Sequence, residues 1–223
     1  MAGETAFGSL RIPRRRLKVS IVTNLKVIVH PLWLRVTHWL NACAIFIMVL
    51  SGWRIYDASP LFGFRFPGEI TLGAWLGGAL LWHFAAMWIL VLNGLIYLLA
   101  NMLSRRVGTQ FFPISLAGVR HELALALRLK LSHSDLRVYN GVQRVAYLFV
   151  WFDLVLLVLS GLVLWKSVQF PLLRFLLGGY ETARYIHFGA MAALVIFTAV
   201  HLIMVAIVPR SLLVMLGGSR SPS

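Results

Sequence analysis

The sequence predicts an all-α membrane protein, a bundle of four transmembrane helices. Of its 223 residues, 60% are hydrophobic and only 13% are charged, with a mean hydropathy of +0.83. Four apolar blocks each reach about 20 residues, the length of helix that crosses a hydrocarbon core. Because lipid offers backbone groups no partner, each block is expected to form a helix that bonds internally. We divide the chain into a tail (1–31), a helical domain (32–208) and a second tail (209–223).

The predicted spans follow one another through three different connections. The spans are 32–53, 72–103, 142–165 and 182–208. The stretches RIYDASPLFGFRFPGEI and KSVQFPLLRFLLGGYE contain Pro and Gly and indicate ordered loops. Residues 104–141 form a long basic connector between the second and third spans, and within it residues 116–131 are expected to lie along the membrane surface as an amphipathic piece.

The distribution of positive charge predicts the orientation of the bundle. Sixteen of the 21 Lys and Arg residues lie in or beside the two tails and the connector, and five lie on the opposite side. By the positive-inside bias, both termini and the connector are cytoplasmic. The N-terminal arginine cluster precedes no cleavable apolar core, so a retained tail is expected. The basic residues are clustered between apolar blocks, which indicates a lipid partner and excludes nucleic acid.

Four histidines within the spans fall at two depths. His38 and His201 each lie about two turns from the cytoplasmic end of their helices, whereas His83 and His187 lie nearer the external side. In the fourth span the 14 residues from His187 to His201 correspond to a rise of about 21 Å and an angular offset of roughly 40°, so both face one stripe. The pattern predicts one histidine pair at each level.

Two such pairs are what two stacked haems require, because an iron porphyrin with two axial imidazoles takes one histidine from each of two facing helices. The third span contains no histidine, so the four ligands come from the other three helices. Cys43 is the single cysteine and no Cys-x-x-Cys-His motif is present, so any haem is held non-covalently.

Other interpretations of these histidines stay open. A lone histidine in a membrane helix can be a hydrogen-bonded packing residue. A metal-ion transporter would normally add carboxylates or thiolates, yet Asp153 is the only acidic residue within a predicted span. His30 precedes the first span, and His121 and His133 in the connector are expected to be exposed to solvent.

Several motifs resemble one family. They are HPLWLRVTHWLNA, SGWRIY, WHFAAMW, GGYETARYIHF and VHLIM. Over residues 30–208 the chain resembles the bacterial dihaem b-type cytochromes, which include cytochrome b-561 and the cytochrome b subunits of nickel-iron hydrogenases and thiosulfate reductases. This resemblance implies a location in the bacterial inner membrane.

The resemblance also implies cofactors and partners. His38 and His201 would hold the cytoplasmic-side haem b, and His83 and His187 the outer one. Electrons would pass between quinone, an exchangeable substrate, and a partner redox centre. The long second helix and the connector look closer to subunits of periplasmic oxidoreductases, particularly molybdopterin enzymes. The sequence also leaves open that two copies form a homodimer.

Three arginines are candidate partners of the haem propionates, which are anionic and can be bound bidentately by guanidinium groups. Arg35, one turn before His38, is placed for the inner haem. Arg54 and Arg184 are placed for the outer haem. The alternative is that all three are interfacial anchors. Glycines 52, 77, 78, 161 and 189 would admit a flat macrocycle close to backbone, or equally allow close helix packing.

Asp153 is costly as an ion at mid-depth. A hydrogen bond to Asn93 across the bundle would satisfy it, and a proton relay to a quinone is the functional alternative. Hydrogen-bonding or titratable residues near the inner haem are candidates for a quinone site by depth alone: His30, Arg35, Asn41, Tyr139 and Arg144.

The other main alternative is a stand-alone enzyme of the same family, a superoxide:ubiquinone oxidoreductase. Such an enzyme would need a positively charged external entrance that attracts the superoxide anion, and four basic external residues allow one. They are Arg54, Arg65, Lys166 and Arg174.

Overall fold

The computed structural model describes residues 27–28, 30–103, 118–120, 124, 141–217 and 219–220. Its helices in chain order are α1 (Leu32–Ala58), α2 (Leu76–Leu103), α3 (Gly141–Lys166), α4 (Pro171–Leu176), α5 (Tyr180–Ile207) and α6 (Pro209–Gly217). The four long helices, α1, α2, α3 and α5, are long and apolar enough to span a membrane. The predicted all-α bundle with four transmembrane helices is therefore confirmed.

The first loop fixes where α1 ends and α2 begins. The helix α1 continues to Ala58, beyond the predicted end at residue 53, because loop groups bond its last turn: Phe66 N–H donates to Asp57 Oδ1 at 2.9 Å, and the Tyr56 hydroxyl donates to the Phe64 carbonyl at 3.2 Å. The helix α2 starts at residue 76 rather than 72. Gly73 and Ala74, with φ of 109° and 58°, form a left-handed turn that a helix cannot include.

The long helices pack as two hairpins, α1 against α2 and α3 against α5. Small buried residues allow close approach of the helices: Ala79 and Ala86 on α2, Ala183 and Ala190 on α5. Aromatic contacts join the hairpins. We call the end of the bundle that carries the two loops the loop end. There the ring of Phe84 of α2 contacts that of Trp165 of α3, and the ring of Tyr56 of α1 contacts that of Phe188 of α5. At the opposite end, the terminal end, Tyr97 of α2 meets Trp151 of α3.

The two hairpins are an internal repeat. The residues Ala79, His83, Ala86 and Leu90 of α2 recur 104 residues later as Ala183, His187, Ala190 and Leu194 of α5, and in both copies the alanines and the leucine are buried. The sequence Val-Leu-Ser-Gly occurs at residues 49–52 of α1 and again at 158–161 of α3. The sequence indicates this repeat through two similar stretches, HFAAM in α2 and HFGAM in α5, which the prediction of the spans did not use. Parallel repeats of this kind are related by an axis along the membrane normal.

The described segments that precede α1 and follow α5 lie at the terminal end. The strand β1 (Val27–Ile28) pairs antiparallel with β2 (Ser219–Arg220), and the Arg35 Nε donates to the Met215 carbonyl of α6 at 3.0 Å. The predicted C-terminal tail thus contains a helix bonded to the bundle. The domain boundaries and the cytoplasmic orientation stay predictions.

Most of the connector lies outside the described residues. The same is true of His121, His133 and Tyr139, and of nearly all of the predicted amphipathic piece at 116–131.

Candidate functional site

The structure brings the four histidines together in two pairs, as the depths predicted. The terminal pair joins His38 of α1 to His201 of α5, with ring centroids 6.2 Å apart and planes inclined at 60°. The loop pair joins His83 of α2 to His187 of α5, with centroids 6.5 Å apart and planes at 63°. The helix α5 contributes to both pairs.

Both separations fit a single metal ion between two imidazoles. An ion bonded at about 2.0 Å to two imidazoles from opposite sides places their centroids about 6.2 Å apart, because each centroid lies about 1.1 Å beyond its nitrogen. A direct hydrogen bond between the rings would bring the nitrogens to about 2.9 Å and the centroids to about 5 Å. The observed spacing therefore suits axial ligation of an iron by each pair.

Hydrogen bonds orient the rings of the loop pair. His83 Nδ1 lies 3.1 Å from the Met48 carbonyl and 3.1 Å from Ser51 Oγ. Because a carbonyl only accepts, the hydrogen of this ring must be on Nδ1, which leaves the Nε2 lone pair free for a metal. Ser51 itself donates to the Ile47 carbonyl at 2.7 Å, so its oxygen can accept from the imidazole.

The same arrangement recurs in the second hairpin. His187 Nδ1 lies 2.9 Å from Ser160 Oγ, and the imidazole also interacts with the backbone of Leu157. Ser160 in turn donates to the Leu156 carbonyl at 2.6 Å. The internal repeat therefore builds both halves of the loop pair alike, each imidazole being held by the neighbouring helix of its own hairpin.

A glycine next to each serine makes room for the imidazole. A Cβ on Gly52 would lie 3.5 Å from His83 Cε1, and a Cβ on Gly161 would lie 3.3 Å from His187 Cε1. These two glycines thus let the rings lie against helix backbone. Gly77 and Gly78 instead pack against the Trp75 ring and the first-loop turn.

The terminal pair has different surroundings. The His201 ring stacks on Phe197 at 6.0 Å and 12°, and the His38 ring meets the Trp39 ring edge-on at 5.5 Å. In the internal repeat the positions equivalent to His38 and His201 are Tyr147 and Tyr97. The terminal pair therefore has no histidine counterpart in the other half of the bundle.

The three predicted propionate partners all bond protein groups. Arg35 bonds α6 through Nε, as described above. Arg54 Nη2 donates to the Ala74 carbonyl. Arg184 pairs with Glu181 at 2.9 Å and donates to the Ser59 carbonyl at 2.6 Å, joining α5 to the end of α1. Their role toward propionates stays a prediction.

The predicted hydrogen bond between Asp153 and Asn93 is wrong. The Asn93 amide nitrogen donates instead to the Thr37 carbonyl and to Asn41 Oδ1, both at 2.7 Å, because this face of α2 is turned toward α1. Asp153 is buried, and its Oδ2 has no hydrogen-bond partner among the described residues.

A cavity of about 340 Å³ opens at the loop end, lined in part by Arg54, Asp57, Arg65 and Trp75. Within the described parts of the chain, no group of three or more His, Cys, Asp or Glu side chains is placed to hold a metal ion. A transporter site built from several such ligands is therefore not supported by those residues.

Histidine pairs at two levels of a four-helix membrane bundle are the arrangement expected of the membrane cytochromes that carry electrons. A family model described as prokaryotic cytochrome b561 matches residues 29–218, and the chain belongs to this family. It is a multi-pass b-type cytochrome of electron transport, as the sequence motifs indicated.

One curated relative is close over nearly its full length. The chain is 63% identical over 190 residues, 85% of this chain and 96% of the relative, to a protein of Azospira oryzae named "Putative protein-methionine-sulfoxide reductase subunit YedZ1". No solved structure matches.

Proposed function

We propose that the chain binds two b haems, one between the histidines of each pair, and carries electrons between the quinone pool and an oxidoreductase outside the bacterial inner membrane. The ring separations of 6.2 and 6.5 Å are the observation that carries this proposal. Bound haem supplies one-electron chemistry at its iron.

The residues of the chain position and tune the two sites. Ser51 and Ser160 bond Nδ1 of His83 and His187, which leaves Nε2 of each ring available as a ligand. His38 and His201 form the second site. Arg35 near the terminal pair, and Arg54 and Arg184 near the loop pair, are the proposed propionate partners.

The height between the two pairs suits transfer across the membrane. Along α5 the ligands are separated by about 21 Å, most of the hydrocarbon thickness of about 30 Å. At the intermediate level the interior is lined by the buried apolar residues Ala44, Leu90 and Leu194 together with the buried Asp153. With the predicted orientation, electrons from quinol at the cytoplasmic side would leave at the periplasmic side.

The Azospira relative is named as a subunit of a protein-methionine-sulfoxide reductase, which supports a reductase of protein methionine sulfoxide as the partner. We propose a molybdopterin-type enzyme as that partner. Reduction of a sulfoxide to a thioether and water takes two electrons and two protons, and two sequential single electrons from the cytochrome would supply the reducing equivalents.

The test uses the purified full chain in nanodiscs. A quinol should reduce the b-type absorption bands, and methionine sulfoxide should reoxidise them only after the candidate reductase is added. Reoxidation by the sulfoxide without the reductase, or no reoxidation with it, would contradict the assignment of partner. Metal uptake without any porphyrin spectrum would instead support the transporter alternative.

A second candidate function is a stand-alone superoxide:ubiquinone oxidoreductase. The loop-end cavity favours it, because the two arginines of its lining, Arg54 and Arg65, outnumber the one carboxylate, Asp57, and would attract an anion. The two functions are distinguished by the same purified chain: superoxide should reduce added ubiquinone without any partner if the stand-alone activity is correct.

A further inference from the structure

We propose that Asp153 is a redox-linked proton site, whose carboxylate binds a proton when an electron arrives at a neighbouring histidine pair and releases it when the electron leaves. This inference rests on the proposed function, since it requires haem at the pairs.

The burial of Asp153 is the first observation. Its side chain lies on α3 and the residue is 4% exposed. Among buried side-chain nitrogen and oxygen atoms in the described residues, only Asp153 Oδ2 and the hydroxyl oxygen of Ser167 have no hydrogen-bond partner. A buried carboxylate oxygen without a donor is costly, and binding a proton removes its charge.

The height of Asp153 is the second observation. Ser160 bonds His187 and so marks the level of the loop pair on α3. Asp153 precedes it by seven residues, about 10.5 Å nearer the terminal end, and the two pairs are about 21 Å apart. Asp153 therefore lies about midway between the pairs.

Only one of the two copies of the internal repeat has a carboxylate at the position of Asp153. The equivalent residue on α1 is Ala44, which is 1% exposed. At the same height α2 and α5 present the buried residues Leu90 and Leu194. An acidic side chain thus replaces a small apolar one in only one of the two hairpins.

The other titratable groups of the four long helices do not face Asp153. The ones nearest to Asp153 in sequence or height are His38, Cys43, His83, Tyr97, Tyr147, His187 and His201. Cys43 is near the height of Asp153 but is exposed on the outside of the bundle. The others lie about 6 Å or more above or below it along their helices. The charges that change nearest Asp153 are therefore those at the two pairs.

The size of the coupling follows from distance. At an effective dielectric constant of about 20, one unit of charge about 10 Å away changes the proton affinity of a carboxylate roughly 15-fold. The step balances as one electron, supplied to a bound haem by a chemical reductant, and one proton from hydronium in the solvent. The O–H bond of hydronium breaks as the O–H bond on the carboxylate forms, and water is left.

The test is a redox titration of the purified full-length holoprotein at a series of pH values. In the wild type the midpoint potentials should fall as pH rises. In Asp153→Asn this dependence should become flatter, and in Asp153→Glu it should persist. Glu69→Gln, which removes an exposed carboxylate in the first loop, is the matched control and should behave as wild type. The haem propionates also change protonation with pH, but their contribution to the slope is the same in every variant. Equal slopes in the wild type and Asp153→Asn would overturn the proposal.

A second measurement is the infrared difference spectrum of reduced minus oxidised protein. The wild type should contain the carbonyl stretch of a newly protonated carboxyl group, shifted in D₂O, and Asp153→Asn should lack it, which separates this band from any band of the haem propionates. A holoprotein that shows no such band would overturn the proton site alone. A purified chain that binds no porphyrin would overturn the proposed function itself.

Discussion

Replacing His187 with alanine is expected to halve the haem content, from about two per chain to about one, by removing the haem of the loop pair. The remaining histidine, His83, cannot supply both axial ligands. The terminal pair should keep its haem, because its ligand on α5, His201, lies about 21 Å from His187 along that helix and its other ligand, His38, is on α1. The haem-to-protein ratio and the number of low-spin ferric signals in electron paramagnetic resonance measure the result.

The reciprocal variant sharpens this prediction. His201→Ala should remove the haem of the terminal pair and keep that of the loop pair, so the two variants should lose different signals. His133→Ala, which changes a connector histidine that is expected to be exposed to solvent, is the control and should keep both haems. The assignment of pairs would be wrong if His187→Ala and His201→Ala removed the same signal, or if either variant kept both.

Gly161→Leu is expected to have a similarly large and selective effect. The added Cβ alone would lie 3.3 Å from His187 Cε1, and the outer carbons of leucine would occupy space that the ring now fills. The imidazole would turn away from its partner and the loop-pair haem would be lost, with the terminal one kept. Haem content and the spectrum of the reduced protein report this change.

Gly63→Leu is the control for this substitution. Gly63 lies in the first loop, is exposed, and would place a Cβ within 4 Å of nothing else among the described residues. It should retain both haems. Retention of two unaltered haems in Gly161→Leu would show that the glycine is not needed to seat the imidazole.

The spans and the pairing of histidines could be predicted because they depend on local properties. Hydropathy and length identify a membrane helix, and a rise of about 1.5 Å per residue places each histidine at a depth. The ends of α1 and α2 could not be predicted in the same way. They depend on bonds from the loop to Tyr56 and Asp57, and on the left-handed turn at Gly73 and Ala74.

The rest of the site depends on which faces of the helices meet. Depth alone suggested that Asn93 could reach Asp153, but the rotation of α2 turns Asn93 toward Asn41 of α1. The roles of Ser51 and Ser160 likewise arise only when the two helices of each hairpin pack against each other. A comparison of the two halves of the chain would have indicated both serines, because each lies in a Val-Leu-Ser-Gly stretch.

The internal repeat also explains why the loop pair and the terminal pair differ. The loop pair takes equivalent histidines from the two hairpins. The terminal pair has Tyr97 and Tyr147 at its equivalent positions, and Tyr97 packs against Trp151 and Trp33 with centroids 5.7 and 6.2 Å away. These aromatic side chains occupy the place at the terminal end where the repeat would otherwise put a second histidine pair. The bundle therefore has one histidine pair at that end.

The haem-to-chain ratio of the purified wild-type protein, measured together with its reduced visible spectrum, tests the central proposal most directly. Two histidine pairs predict about two b haems per chain, both reducible and both of low spin. A chain with one haem, or with none, would contradict the proposal that each pair binds an iron.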